Sequence, residues 1–212
     1  VDMTIIVEEG RRYRMGKLNV RSATGEEKDL FFRAEFLKAI FPLRPGDIFN
    51  VTRIRKSLED YRKLYSSVGF INCTTVPETE IDDEHRIIDL TLELDTGKQF
   101  FVRRIEFLGN TSTRDKVIRR EVLLDEGAVF NSRSWEMSVL RLNQLGYFEE
   151  LKPEDAEVQQ NAAKGTVDLA LKVKERGRNT IGLTGGVSGL AGSFLGLNYQ
   201  TNNFLGLGET LT

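Results

Sequence analysis

The stretch IDLTLELDTG, Ile88–Gly97, decides the fold because its layout occurs three times in the chain. Asp stands second, apolar residues alternate with polar ones, and a glycine follows a charged turn. The same layout appears in VDMTIIVEEG at 1–10 and in VDLALKVKERG at 167–177. Alternation with a period of two predicts a half-buried strand, and the glycine suits a tight turn. Three strands of one design indicate an internal repeat.

The segments between these strands also match each other. PGDIFN at Pro45–Asn50 parallels DEGAVFN at Asp125–Asn131, and each asparagine is predicted to cap a helix with one apolar face. Each of these helices is followed by a glycine and then an aromatic residue, at Gly69-Phe70 and Gly146-Tyr147, which is the pattern of a helix stop. A shorter helix is predicted before each. The repeating unit is therefore strand, helix, helix, strand, strand.

This unit predicts an α+β fold with two complete βααββ modules, at 11–95 and 98–176. We expect residues 1–10 to be the last strand of a preceding module. The second strand of each module contains a proline, Pro77 or Pro153, which the centre of a sheet tolerates poorly. The second strand is therefore predicted to lie at an edge, with the first strand parallel to the third.

The composition changes sharply near residue 177. Of 62 charged residues only Arg178 and Glu209 lie in the last 35, and that segment holds 8 of the 19 glycines. Its sequence predicts strands at Thr180–Ser188 and Ser193–Gln200, joined by a turn near residues 189–192, with apolar and small or polar residues on opposite faces. This alternation is typical of strands in a membrane barrel.

These residues carry a resemblance to a known family. The βααββ unit with its FN, helix and LGYFE run (Phe130 to Glu149) resembles a polypeptide-transport-associated (POTRA) domain, and NNFLGLG at Asn202–Gly208 resembles the start of the barrel in outer-membrane assembly and transport proteins. The resemblance implies the last two POTRA modules, followed at 178–212 by antiparallel strands that begin a transmembrane β-barrel. It implies a non-enzymatic, periplasm-facing part of a machine in the cell outer membrane.

The resemblance also implies the partners. They would be unfolded outer-membrane protein precursors, accessory assembly lipoproteins, and outer-membrane lipid through the barrel. No cofactor, metal or nucleic acid is expected. A related transporter that secretes one partner polypeptide remains an alternative. Small nucleic-acid-binding α+β modules are a weaker one, because the net charge is −2 and the sequence shows no clustered basic face.

Edge strands are the first candidate sites, since an extended peptide can add to unpaired backbone groups. The sequence predicts such strands at Phe70–Thr79 and Tyr147–Val158. In the second, the charges of EELKPEDAE favour a simple defence against aggregation. In the first module, defence against aggregation and precursor binding are both open, and the predicted precursor-binding edge consists of Phe70, Ile71, Asn72, Cys73, Thr74 and Thr75.

The second candidate is the helix predicted around VIRREVL, Val117–Leu123. Val117, Ile118 and Val122 are expected to face inward, which leaves Arg119, Arg120 and Glu121 exposed. The resemblance implies that this helix contacts an accessory lipoprotein, with Glu121 at a key acidic position. An ordinary Arg–Glu pairing within the helix is the alternative.

The barrel strand nearest the modules is the third candidate, and the resemblance places it beside a seam that admits precursors. Its residues are Thr180, Ile181, Gly182, Leu183, Thr184, Gly185, Gly186 and Val187. No catalytic set is predicted, because His85 is the only histidine and Cys73 the only cysteine, with neither near a partner for nucleophilic chemistry in the sequence.

Overall fold

The structure is a computed structural model that describes residues 11–25, 30–177, 179–189 and 192–211. The strand predicted at 1–10 lies outside the described residues. Contacts divide the chain into two compact units, one that runs to Ser66 and resumes over Phe70–Lys98, and one made of Ser67–Gly69 and the chain from Gln99 onwards. In the part of the chain described, no helix is long and apolar enough to cross a membrane.

The first module follows the predicted element order. It contains β1 (Arg14–Ser22), α1 (Ala34–Ile40), α2 (Val51–Ser66), β2 (Thr74–Asp82) and β3 (Ile87–Asp95). The strand order is β1-β3-β2, with β1 parallel and β2 antiparallel to β3. The predicted order and the predicted edge position of the second strand are therefore confirmed.

The core of this module lies between the sheet and its two helices. Alternate residues of β3 are buried, and the apolar face of α2 packs among them, as the two periodicities require. Burial of each large apolar side chain contributes roughly 1.5–3 kcal/mol. The main buried residues from β3 and α2 are Leu90, Leu92, Leu94, Ile54, Tyr61 and Tyr65.

The second module repeats the arrangement. It contains β4 (Phe101–Leu108), α3 (Asp115–Arg119), α4 (Ser132–Gln144), β5 (Ala156–Asn161) and β6 (Thr166–Lys172), with strand order β4-β6-β5. Both predicted helix caps are present. The Asn50 side chain accepts a hydrogen bond from the Arg53 amide, and the Asn131 side chain accepts one from the Ser134 amide, each at 3.0 Å.

Both second strands begin later than predicted. In the first module, residues 70–73 form a turn, because the Phe70 amide bonds the Tyr65 carbonyl and the Cys73 amide bonds the Phe70 carbonyl. In the second, Pro153 starts a short 3-10 turn, and β5 begins only at Ala156. The predicted sheet order was right, but only Pro77 lies within an edge strand.

The glycine-rich segment forms a third, antiparallel sheet. It contains β7 (Asn179–Ser188), β8 (Gly192–Phe204) and β9 (Glu209–Leu211), in the order β7-β8-β9. The first predicted strand agrees with the structure, and residues 190 and 191 of the predicted turn lie outside the described residues. The second strand continues to Phe204 rather than ending at Gln200, because its last residues pair with β9, which the sequence did not predict.

Candidate functional site

β2 is an edge strand of the first module, and all but one of its nine residues are exposed. All nine residues of β2 pair with β3 in unbroken register, and Pro77 stands opposite Leu92. Main-chain groups along a strand point alternately to its two sides. Because Pro77 lacks an N–H and still leaves the ladder intact, its nitrogen faces away from β3. The N–H groups of Thr75, Thr79 and Ile81 then face the free edge as well.

A groove runs beside the start of this edge. It has a volume of about 570 Å³ and lies between α2 and β2. The hydroxyl of Thr75 is buried there without a hydrogen-bond partner. The groove is lined by Leu58, Glu59, Arg62, Ile71, Asn72, Cys73, Thr74 and Thr75. Five of the six predicted edge residues therefore line one groove, although only Thr74 and Thr75 belong to the strand.

Phe70 has a structural role instead. Its ring packs against Tyr65 and Phe31, with centroid distances of 6.0 and 5.2 Å. Cys73 is buried, and burial raises the pKa of its thiol to about 11. A thiol with so high a pKa is not a nucleophile at neutral pH. Cys73 is therefore not a candidate nucleophile.

The corresponding edge in the second module is shorter and charged. β5 has six residues, against nine in β2. Glu157 on this strand forms an ion pair with Lys172 on β6. The charge and the short length both favour the protective interpretation given above for this edge.

Arg119 is held by its own module. Its guanidinium donates to Asp115 Oδ2 at 3.0 Å and to the Ile105 carbonyl at 2.9 Å, and it lies 5.5 Å from the centre of the Phe107 ring. It also pairs with Glu126 at 3.3 Å. Its side chain is exposed, as predicted, but its donors already have acceptors. Arg119 therefore stabilises α3 against β4.

Glu121 is less exposed than predicted. α3 ends at Arg119, and Glu121 lies in the turn that follows, where its amide bonds the Ile118 carbonyl. Its side chain is 24% exposed and pairs with Arg120, with 3.3 Å between Nε and Oε1. An Arg–Glu pairing is present, although between adjacent residues and outside the helix. Val117 and Ile118 are buried, as predicted.

A buried polar contact joins the third sheet to the second module. Asn203 is fully buried, and its side-chain amide donates to Thr113 Oγ1 at 2.7 Å. Its carbonyl oxygen accepts the Gly208 amide at 2.8 Å. The Arg114 amide, at the start of α3, donates to the Gly206 carbonyl at 3.1 Å. We call Thr113, Glu175, Asn203 and Gly206 the α3 junction.

Glu175 stabilises this junction by accepting hydrogen bonds from the residues just before α3. Its carboxylate accepts the Thr113 amide at 2.6 Å, the Ser112 amide at 3.1 Å and the Thr111 hydroxyl at 3.0 Å. Burial alone would raise the pKa of this carboxyl group, but the hydrogen bonds from Thr113 and Ser112 outweigh burial and lower the pKa to about 2. Glu175 is therefore ionised near neutral pH.

Gly206 makes the close approach possible. Its φ is +71°, and a Cβ there would lie 2.0 Å from the Ser112 carbonyl oxygen. Only glycine fits both the conformation and the space. The sequence showed NNFLGLG as a resemblance but gave no sign of its contact partners, since Thr113 lies 90 residues from Asn203 along the chain.

The two faces of the third sheet differ as predicted. Ile181 pairs with Tyr199 and Leu183 with Leu197, which places these exposed apolar side chains on one face. The opposite face carries small or polar residues and one exception, Phe194, whose ring lies over Gly186. The residues of that face are Thr180, Gly182, Thr184, Gly186, Gly196, Asn198 and Gln200.

Comparison with known proteins agrees with this architecture. The POTRA family model, described as "Surface antigen variable number repeat", matches residues 24–97 and 100–176. "Outer membrane protein assembly factor BamA" of Neorickettsia risticii is 32% identical over 97% of this chain, and that of Neisseria meningitidis serogroup B is 26% identical over 97%. The chain spans about a quarter of the length of each, 26% and 25%.

Two solved structures share the fold. BamA from Haemophilus ducreyi lacking POTRA domains 1–3 gives a TM-score of 0.75 at 22% identity, over 94% of this chain and 36% of that one. POTRA domains 3–5 of Haemophilus influenzae BamA give 0.63 at 25% identity, over 79% of this chain and 63% of that one. With both modules matched by the family model over well over half of its length, the chain belongs to the POTRA family.

Proposed function

We propose that this chain is part of an outer-membrane protein assembly factor, with its POTRA modules in the periplasm. In this proposal, extended segments of unfolded outer-membrane proteins add to the free edge of β2. The names of the curated relatives, outer membrane protein assembly factors, support the general role. The observation that carries the proposal is a nine-residue strand whose outer edge pairs with no other described strand and lies beside an open groove.

The edge suits strand addition for physical reasons. Thr75, Thr79 and Ile81 offer main-chain donors, and their carbonyl groups and that of Pro77 offer acceptors, so an added strand would gain hydrogen bonds along most of β2. Main-chain hydrogen bonds form with any amino-acid sequence. This suits unfolded outer-membrane proteins, which have β-strands in common but differ in sequence. Alternate side chains of the added strand would enter the groove beside α2. The missing donor at Pro77 keeps the association weak and reversible.

The proposal is tested by removing one more edge donor. Thr79→Pro deletes an N–H that faces the free edge while leaving the ladder to β3 intact, as Pro77 already does. Val158→Pro is the matched control, because Val158 occupies the equivalent position on β5, opposite Leu169 as Thr79 is opposite Leu90. A labelled peptide from a membrane β-strand should lose affinity for the Thr79→Pro protein only. Equal binding by both variants and the parent would refute strand addition at β2.

The proposal includes two further parts. An accessory lipoprotein docks on the surface around Arg120 and Glu121, and the third sheet begins a membrane barrel with its apolar face towards lipid. The exposed Arg120 guanidinium supports the first part, and the register that aligns Ile181, Leu183, Leu197 and Tyr199 supports the second. β7 pairs only with β8 among the described strands, so its other edge is available for a further strand.

A further inference from the structure

The two modules differ at one equivalent site. Each first strand has a bulge near its start, between Met15 and Leu18 in β1 and between Val102 and Arg104 in β4. When the two modules are aligned at these bulges, Gly16 takes the position of Arg103. The same register places Asp89 of β3 at the position of Asp168 of β6. The site therefore keeps its aspartate and exchanges an arginine for a glycine.

In the second module an arginine of the module itself occupies the site. The Arg103 guanidinium binds the Asp168 carboxylate through both oxygens, with Nε 2.7 Å from Oδ1 and a second bond from the terminal nitrogen. Such a forked pair is the strongest common geometry for a carboxylate and a cation. The pairing lowers the pKa of Asp168 and raises that of Arg103. This module shows which group the site accepts.

In the first module the residue at the position of Arg103 is Gly16, which supplies no side chain to the site. A Cβ on Gly16 would lie 1.9 Å from Asp89 Oδ1, so the carboxylate occupies the place where a side chain would start. The Asp89 oxygen accepts the Lys17 amide at 2.6 Å. A depression of about 590 Å³ lies over these residues, with Ile81 and Ile87 among its lining groups.

The side chains next to this site are also more acidic in the first module than in the second. Glu80 pairs with Asp89 and Asp82 with Ile87, whereas the equivalent positions on β5 are Gln159 and Asn161. Both carboxylates of the first module are thus amides in the second. Asp82 is partly engaged by His85, at 2.7 Å. The nearby cations are Arg14, which donates to the Gly46 carbonyl at 2.6 Å, and Lys17.

We propose that this depression binds an arginine side chain of an extended polypeptide partner. The first module has three carboxylates where the second has one, and it lacks the arginine that the second module supplies to itself. The exposed Ile87, which shares a sheet face with Asp89, would contact the aliphatic stem of the arginine. Among the described residues no cluster of three metal-ligating side chains is found, which argues against a metal as the occupant.

The site lies at the end of the β2 edge, since Glu80, Ile81 and Asp82 belong to that strand. The inference therefore rests on the proposed function and adds a side-chain preference to it. A strand paired along β2 would carry an arginine near one end into the depression. Strand addition itself depends on main-chain groups and does not require this site.

The test uses a small probe that cannot pair as a strand. N-acetyl-arginine amide is titrated into the 212-residue chain in mild detergent, and the amide signals of Gly16, Lys17 and Asp89 are followed by NMR. We expect saturable shifts confined to these residues. The uncharged analogue with citrulline in place of arginine should give none. Equal shifts from citrulline, from calcium chloride or from matched sodium chloride would overturn the inference.

Variants localise the effect. Asp89→Asn should abolish the shifts, while its side-chain oxygen still accepts the Lys17 amide and keeps the bulge. Glu80→Gln with Asp82→Asn copies the second module and should weaken binding about fivefold, as expected for two partly exposed charges. The matched control is Glu136→Gln with Glu154→Gln, two exposed acids elsewhere. If the Thr79→Pro protein binds the peptide as tightly as the parent while the arginine titration is normal, strand addition is refuted and the arginine site is not.

Discussion

Replacing Asn203 with alanine tests whether the α3 junction holds the third sheet to the second module. The change removes the bond to Thr113 Oγ1 at 2.7 Å and the bond from the Gly208 amide at 2.8 Å. Each such bond contributes about 0.5–1.5 kcal/mol, and a partner left buried and unpaired costs about 1–3 kcal/mol. Asn203 also has a φ of +56°, which costs alanine about 1 kcal/mol more. We expect a local loss of about 2–4 kcal/mol.

Amide hydrogen exchange measures this loss directly. The Arg114 amide keeps its Gly206 acceptor in the variant, so its protection reports opening of the junction, whereas the Gly208 amide loses its own acceptor and reports that loss as well. A loss of about 2 kcal/mol should speed their exchange roughly 30-fold, with little change in the strands of the second module. Asn203→Gly should give a smaller effect than alanine, because glycine adopts the positive φ without strain.

Asn202→Ala is the matched control. Asn202 directly precedes Asn203 in the chain. Its side-chain oxygen accepts hydrogen bonds from Gln200 at 3.1 Å and Thr210 at 3.4 Å, and both bonds are exposed to solvent. We expect it to change the free energy by under about 0.5 kcal/mol. If Asn203→Ala and Asn202→Ala speed the exchange of Arg114 and Gly208 equally, the buried hydrogen bonds do not hold this turn and the reasoning is wrong.

Three further outcomes are expected. The pKa of Glu175 is lowered to about 2 from 4.5, so its stabilisation is complete above about pH 4.5 and is lost as the pH falls towards 2; Glu175→Gln should remove this dependence in acid unfolding. Glu121→Lys should change stability by under about 1 kcal/mol and weaken capture of accessory lipoproteins in a pull-down, and unchanged capture would exclude this docking surface. Removing 178–212 should leave a more soluble and monodisperse protein by light scattering; a less soluble product would contradict the barrel interpretation.

The repeat pattern predicted the fold well, because its signals are local. Strict alternation in Ile88–Gly97 specifies a strand with one buried face, and a capping asparagine followed by an apolar stripe specifies a helix. The edge position of β2 followed from Pro77 by the chemistry of one missing N–H. The alternation in the third sheet was also readable before its register was known.

Boundaries and candidate sites were predicted less well, because distant contacts decide them. Phe70 has the β-propensity of a strand residue, but aromatic packing on Tyr65 holds it in a turn. The sequence around Glu121 suits a helix, yet α3 ends at Arg119 and the next residues form a turn. Local preference is weak compared with such packing.

The sequence by itself determined the elements of the two βααββ modules and the amphipathic third sheet, since each depends on neighbours a few residues apart. The strand orders followed from the hairpin and from the proline assigned to each second strand. Only the tertiary structure decided that Asn203, Thr113 and Glu175 form one hydrogen-bonded junction, because they are brought together across as many as 90 residues of chain. It also showed that Gly16 stands at the position from which Arg103 reaches Asp168 in the second module. That comparison depends on the register at two bulges, and register is a property of paired strands and not of either strand alone.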